Sequence, residues 1–379
     1  MRTILAEAAA EFHRLRRDVG VLLVLVGAMF LYAALYPVPY WHEVLEQVPI
    51  AIVDLDGSDL SRDLARMADA HQLLSVAARA ATAEEAAGLV RRGEAGGYVV
   101  VPPGFERQIR RGERAVVAAY VDAGYFLVYR QVLTGFSETV GTLSAGIEIR
   151  RLQGEGLAVR QAVRARDPLP LSTRPLFNRT EGYATYVVPG VLVLILQQTL
   201  LVGIGMVGGT LRERPEPVGR GTSRAAAKVL GRALVYLALY AVHALFYFGV
   251  VYALYGFPVK SQAADLASFV LPFLLAAIFL ALTLRPLFRT REASIHLLLW
   301  TSLPAIFLAG FAWPVEALPP WLAAAGRALP STSAIPGMIR LTQMGATLAQ
   351  VRPEWWTLWA LAGIYFATAC AAARLRPES

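Results

Sequence analysis

Six stretches of this 379-residue chain run for about 18 residues or more without a charged side chain, which is the length a helix needs to cross a hydrocarbon layer. They are 19–36, 183–211, 233–259, 266–284, 293–313 and 355–373. Only 17% of the residues are charged and 56% are hydrophobic, far from the balance of an ordinary soluble domain. The pattern predicts an α-helical membrane protein with six transmembrane helices and a large insertion after the first of them. In the insertion, apolar strand-like runs alternate with amphipathic helical ones, so an α/β extracytoplasmic domain is expected.

Charge sets the orientation. The formal net charge is +8, carried by 34 arginines and only two lysines, Lys228 and Lys260. With the N-terminus inside, the short cytoplasmic segments hold 15 Lys or Arg residues and the short outer ones 4, namely Lys260, Arg327, Arg340 and Arg352. By the positive-inside bias both termini lie in the cytoplasm and 37–182 lies outside. A basic excess placed beside apolar runs is explained by the lipid bilayer, so no nucleic-acid partner is expected. Arg14, Arg16 and Arg17 precede the first window, but no small-x-small cleavage site follows it, and it reads as an uncleaved anchor. The single cysteine, Cys370, excludes an intrachain disulfide and a cysteine-rich metal site.

In the outer domain the run "VPIAIVDLD" reads as a strand, with Ser58 capping the helix that follows. "LLSVAARA", "GGYVVVPPGF" and "AVVAAYVDAG" read as three more strands, and Thr82 with Glu85 makes a capping box. Beyond Asp122, the residues Tyr129, Leu133, Phe136, Val140, Leu143 and Ile147 recur at intervals of four and three. That spacing predicts a long helix whose apolar stripe covers the domain's own sheet or pairs with a second copy of the chain.

Asp54 and Asp56 at the end of the first strand suggest a phosphatase nucleophile and acid. Such chemistry also needs a lysine on the transferring phosphate and a downstream acidic pair for Mg²⁺. The outer domain has no lysine, and its only adjacent acidic pair, Glu84-Glu85, sits where a helix N-terminus accounts for it. A strand end and a capped helix explain both aspartates, so no catalytic, metal-ligating or cofactor-binding residue is expected. Neither lysine is preceded by glycine, so no G-x-x-x-x-G-K-[ST] phosphate loop exists and any ATP must be handled by another chain. Polar side chains inside apolar windows are costly unless they serve a path or a neighbouring helix. Gln197, Gln198, His243 and His296 are therefore transport-path candidates.

Several strings resemble, in order, the ABC-2 type permeases, membrane subunits of a class of ATP-binding-cassette exporters. "AIVDLDGSDLSR", "VVVPPGFERQIRRG" and "AYVDAG" look like the subfamily with a large extracytoplasmic domain after the first helix. "RPLFNRTEGYATYVVPGVLVLILQQT" looks like its second helix. "AGFAWPVEALPPWLAAAGRALPSTSAI" looks like its outer segment of short re-entrant helices. The resemblance implies an N-terminal amphipathic cytoplasmic helix at 1–18, a first transmembrane helix at 19–36 and an outer domain at 37–182. It further implies a five-helix bundle at 183–379 with a cytoplasmic coupling loop at 211–232 and an outer re-entrant segment at 314–354. Implied partners are cytoplasmic ATPase subunits supplying the ATP step and a second permease copy or sister permease, with room for a periplasmic adaptor in the inner (cytoplasmic) membrane. Arg212, Glu213 and Arg214, just below the second helix, are then the candidates for ATPase contact. In the loop after them Pro215 and Pro217 depart from the family pattern. The competing reading is a membrane-anchored receptor or cell-surface interaction protein. Its weakness is that no cytoplasmic segment has room for a signalling output.

Overall fold

The computed structural model describes residues 1–41, 44–167, 169, 173–179, 181–214, 225–310 and 313–375. The chain divides into two compact units, Met1–Glu43 with Pro175–Ser379, and Val44–Arg174.

The first unit is helical. An N-terminal helix, Arg2–Arg17, precedes five helices long and apolar enough to cross a membrane. We label them A (Val19–Tyr40), B (Tyr183–Glu213), C (Ala225–Tyr255), D (Ala263–Leu287) and E (Leu348–Leu375). Helix B is the centre of the bundle, with 94% of its most apolar window buried against 22% for A and for E. Its glycines make this possible. A Cβ on Gly203 would fall 2.2 Å from a Leu25 methyl, and one on Gly209 would fall 2.4 Å from the Thr290 carbonyl carbon. Small residues let helices approach closely where lipid offers no hydrophobic drive to associate.

The sixth apolar window differs from expectation. It forms two shorter helices, Arg291–Trp300 and Ser302–Leu308, so five single spanning helices occur among the described residues. The break is chemical. Thr301 Oγ1 and Ser302 Oγ donate to the carbonyls of Leu298 and Leu299, each at 2.6 Å, and Pro304 has no N–H for the carbonyl of Trp300.

Buried hydroxyls and amides join the helices. Tyr240 donates to Thr199 Oγ1 at 2.9 Å and Tyr247 to the Met29 carbonyl at 3.0 Å, tying C to B and to A. The segment after the broken helix contains Pro320–Gly326 and Pro330–Thr342. The second of these lies along B, with Ser331 at Gln197 and Gln343 donating to the Thr185 carbonyl at 2.6 Å. Between Thr185 and Gln197 helix B rises by about 18 Å, so the N-terminus of this short helix sits at the level of the middle of B.

The second unit, Val44–Arg174, holds a four-stranded sheet of order β2-β1-β3-β4. The strands are β1 (Val48–Asp54), β2 (Leu74–Ala80), β3 (Gly97–Val101) and β4 (Ala118–Val121). β1 is parallel to β2 and β3, and β4 runs antiparallel to β3. Central β1 is covered on both sides, and Ile50, Ala51, Ile52 and Val53 are all buried, as expected of a parallel strand between helices. Ile50 and Ile52 meet Ala65 and Ala68 of helix Asp59–Asp69 and Phe136 of helix Phe126–Gly154. Ala51 and Val53 meet Ala86 of helix Ala83–Arg91. Ser58 caps its helix through the Ser61 amide. Thr82 caps through the Glu85 amide, but Glu85 reaches back to the amide of Ala81, one residue before the cap.

The stripe expected on the long helix is rotated. The buried face is Val132, Gly135, Phe136 and Thr139, while Leu133 and Val140 are exposed. Gly135 decides this, because a Cβ there would lie 2.5 Å from Leu74. A pattern counted only in large apolar residues does not register a contact made by glycine.

Candidate functional site

At one end of the helical unit the N-terminal helix, the end of B and the start of helix Arg291–Trp300 enclose a groove of about 900 Å³. Its walls carry His13, Arg14, Arg17, Asp18, Thr210, Glu213, Arg214, Arg291 and Glu292. Asp18 is the hinge residue. Its Oδ1 accepts the Val21 amide at 3.1 Å and so caps helix A, a use for which a short carboxylate is well suited. The same carboxylate binds the Arg291 guanidinium through both oxygens, at 2.9 and 3.0 Å. Gly20 leaves the room, since a Cβ there would lie 2.0 Å from Arg291 Nη2. Glu213 accepts from the Arg291 backbone amide at 3.2 Å.

About two turns back along the N-terminal helix is a buried charge cluster. Glu11, fully buried, pairs with Arg285 at 2.5 Å and with Arg14 at 3.1 Å, and Arg232 lies 3.9 Å away. Tyr236 of helix C donates to Glu11 Oε1 at 2.8 Å. Burial opposes ionisation of Glu11, but Arg285, Arg232 and Arg14 outweigh it and hold the carboxyl at about 2, against an ordinary 4.5. A carboxylate with this many cationic and hydroxyl donors is satisfied in the sense that buried ions require.

Of the residues singled out from sequence, Glu213 and Arg214 line the groove, and Arg212 is exposed beside it. Of the expected coupling loop at 211–232, residues 215–224 lie outside the described residues, while 211–213 still belong to helix B and 225–232 already to helix C. Gln197 is fully engaged: its Nε2 donates to Ser331 Oγ at 3.1 Å and its Oε1 accepts the Ser331 amide at 2.8 Å. Gln198 and His243 are buried, and Gln198 Oε1 and His243 Nδ1 have no hydrogen-bond partner among the described residues. His243 packs edge-on against Tyr240 with ring centres 5.0 Å apart. His296 is exposed and its Nδ1 meets the Glu292 carbonyl of its own helix at 2.8 Å.

Sequence reasoning missed Glu11, Asp18, Arg285 and Arg291. Only the packed face of the N-terminal helix singles out Glu11. The N-terminal helix buries Ala8, Glu11 and Leu15, whereas the apolar Leu5 and Phe12 are exposed. A glutamate three and four residues from two buried positions lies on the packed face and needs a cation there.

In the sheet-containing unit both aspartates of the suspected phosphatase motif are occupied by the backbone. Asp54 Oδ1 accepts the amides of Asp56 and Gly57 at 3.1 and 2.9 Å, and Oδ2 accepts the Ser61 hydroxyl at 2.7 Å. Asp56 takes the amides of Phe105 and Glu106 at 3.0 and 3.1 Å, capping helix Phe105–Arg110 from 49 residues away. The Ser58 hydroxyl first, with burial opposing it and these amides adding to it, holds the Asp56 carboxyl below its usual range.

No curated protein matches the chain. Over residues 19–371 the chain matches the family described as ABC-2 family transporter protein, to which it belongs.

Proposed function

We propose that this chain is the permease of an exporter in the inner membrane, and that separate ATPase subunits dock at the groove beneath helix B. Family membership makes it the membrane component of an ABC transporter. The observation that carries the rest is the groove itself. It gathers charged side chains from three chain segments at the end where Lys and Arg concentrate, which the positive-inside bias assigns to the cytoplasm. Arg17 and Arg214 are exposed on its rim and suit an acidic element of the partner. On this reading the broken helix 291–308 makes the sixth crossing, both termini are cytoplasmic, and the sheet-containing unit lies outside. A second permease copy or a sister permease completes the path, to which Gln198 and His243 contribute.

The test is copurification. Co-expressed with candidate ABC ATPase subunits from its own source, the chain should bring one of them down and support ATP hydrolysis, and alone it should hydrolyse none. Reversing the rim charges with Arg17→Glu and Arg214→Glu should lower ATPase recovery about tenfold, a plausible loss for removing two cations from a charged interface. Unchanged recovery in the double variant would exclude the groove as the docking site.

A further inference from the structure

The last turn of helix D and the connection after it run from Arg285 to Arg291, the first residue of helix Arg291–Trp300, and the two end arginines are held by a carboxylate of the N-terminal helix and by one at the junction that directly follows that helix. Glu11 binds Arg285 at 2.5 Å and Asp18 binds Arg291 at 2.9 Å. The two carboxylates are seven residues apart, Glu11 within the N-terminal helix and Asp18 at its C-cap, where the chain turns into helix A. We propose that Glu11 and Asp18 are positioning residues that form a two-point clamp on the 285–291 connection, so that displacement of the N-terminal helix moves the end of D and the start of the broken helix together. The inference rests on the transport reading above and goes beyond it by naming the element that carries the motion.

Three observations support it. A seven-residue connection held at one end absorbs a displacement through its own dihedrals, whereas one held at both ends transmits it. The connection also has little slack. Arg285–Leu287 is a tight helical turn containing Pro286, Phe288 is buried, and Thr290 caps the next helix by accepting the Ala293 amide. Beneath it, helix B presents Gly208 and Gly209. A Cβ on Gly208 would lie 2.5 Å from the Arg285 carbonyl oxygen, and one on Gly209 would lie 2.5 Å from the Arg291 nitrogen. Close-packed elements of this kind shift between discrete arrangements rather than deform smoothly.

The N-terminal helix is itself a suitable lever. Its backbone lies against Gly231 of helix C, where a Cβ would fall 2.6 Å from the Ile4 carbonyl oxygen. Its outer face keeps Leu5, Phe12, Arg16 and Arg17 exposed, available to lipid or to a partner.

The experiment is hydrogen exchange by mass spectrometry on the full chain with its co-expressed ATPase in nanodiscs, with and without Mg-ATP and vanadate. In the parent complex nucleotide should change exchange about tenfold both in the N-terminal helix and at 287–291. In the Glu11→Gln, Asp18→Asn variant the helix should still respond, while the response at 287–291 disappears. Should that variant not assemble, the charge exchange Asp18→Arg with Arg291→Asp should retain the response that Asp18→Arg alone loses. A connection that responds equally in parent and clamp variants, or not at all in the parent, overturns the clamp while leaving the docking groove intact. A complex that binds no ATPase sinks the transport reading and the clamp with it.

Discussion

Glu11→Gln should be among the most damaging isosteric changes in this chain. Gln keeps the shape and one acceptor for Tyr236, but it removes the carboxylate that pairs with Arg285 and Arg14 and lies 3.9 Å from Arg232. The magnitude follows from the carboxyl's own titration. Holding it at about 2 rather than 4.5 is worth roughly 3 kcal/mol at 1.36 kcal/mol per pH unit. That agrees with the roughly 3 to 5 kcal/mol lost when one partner of a buried pair is removed. Because the folded value is the lower one, the contribution is complete above about pH 4.5 and fades as pH falls toward 2. The assay is tryptophan-monitored thermal unfolding in nanodiscs at one scan rate, since unfolding of such a protein is read as an apparent midpoint. At pH 7 the variant should melt roughly 5 to 10 °C lower, against little change for Arg16→Gln on the exposed face of the same helix. At pH 3 the gap should narrow. Adding Arg285→Met should restore part of the loss, because a paired removal leaves fewer buried charges uncompensated. A midpoint equal to the parent's at pH 7, or a gap that is the same at pH 3, would refute the reasoning.

Further outcomes are expected elsewhere. Gly209→Ala drives a methyl into the Thr290 and Arg291 backbone, which cannot rotate away. It should cost about 1 to 3 kcal/mol, seen as reduced yield of folded protein, while Gly249→Ala, with nothing within 4 Å, stays near neutral. Gln197→Leu leaves the buried Ser331 amide and hydroxyl without their partner and should cost about 1 to 3 kcal/mol. It should also increase proteolysis in the 314–329 segment, and an unaltered digestion pattern would argue against that tether. Asp56→Ala should lower stability of the sheet-containing unit by about 1 kcal/mol through the lost helix cap. A phosphate-ester hydrolysis that disappears in Asp54→Asn would revive an enzymatic role for the motif. In a Cys370→Ala background, Glu94→Cys should react with an impermeant thiol reagent in intact cells and Arg212→Cys should not; the reverse labelling would invert the topology.

What the sequence determined by itself is whatever depends on neighbours along the chain. Windows of 18 or more apolar residues announce membrane helices because the cost of burying a charge in lipid is read residue by residue. The four strands lie within the stretches expected of them, and Ser58 and Thr82 cap their helices, because turns, caps and alternation act over a few residues. The order of family strings identified the ABC-2 resemblance before any contact was known. Only the tertiary structure decided the rest. Nothing local distinguishes Glu11 from any other glutamate in an arginine-rich helix until Arg285, 274 residues away, is brought against it. Gln197 looked like a transport residue because its polarity is visible in sequence while its partner, Ser331, is 134 residues distant. The rotation of the long helix and the centrality of helix B are both set by glycines, whose contacts are made by backbone and by the neighbour's side chain. Sequence shows a side chain's chemistry; the partner that satisfies it, and hence its role, is a property of how distant segments meet.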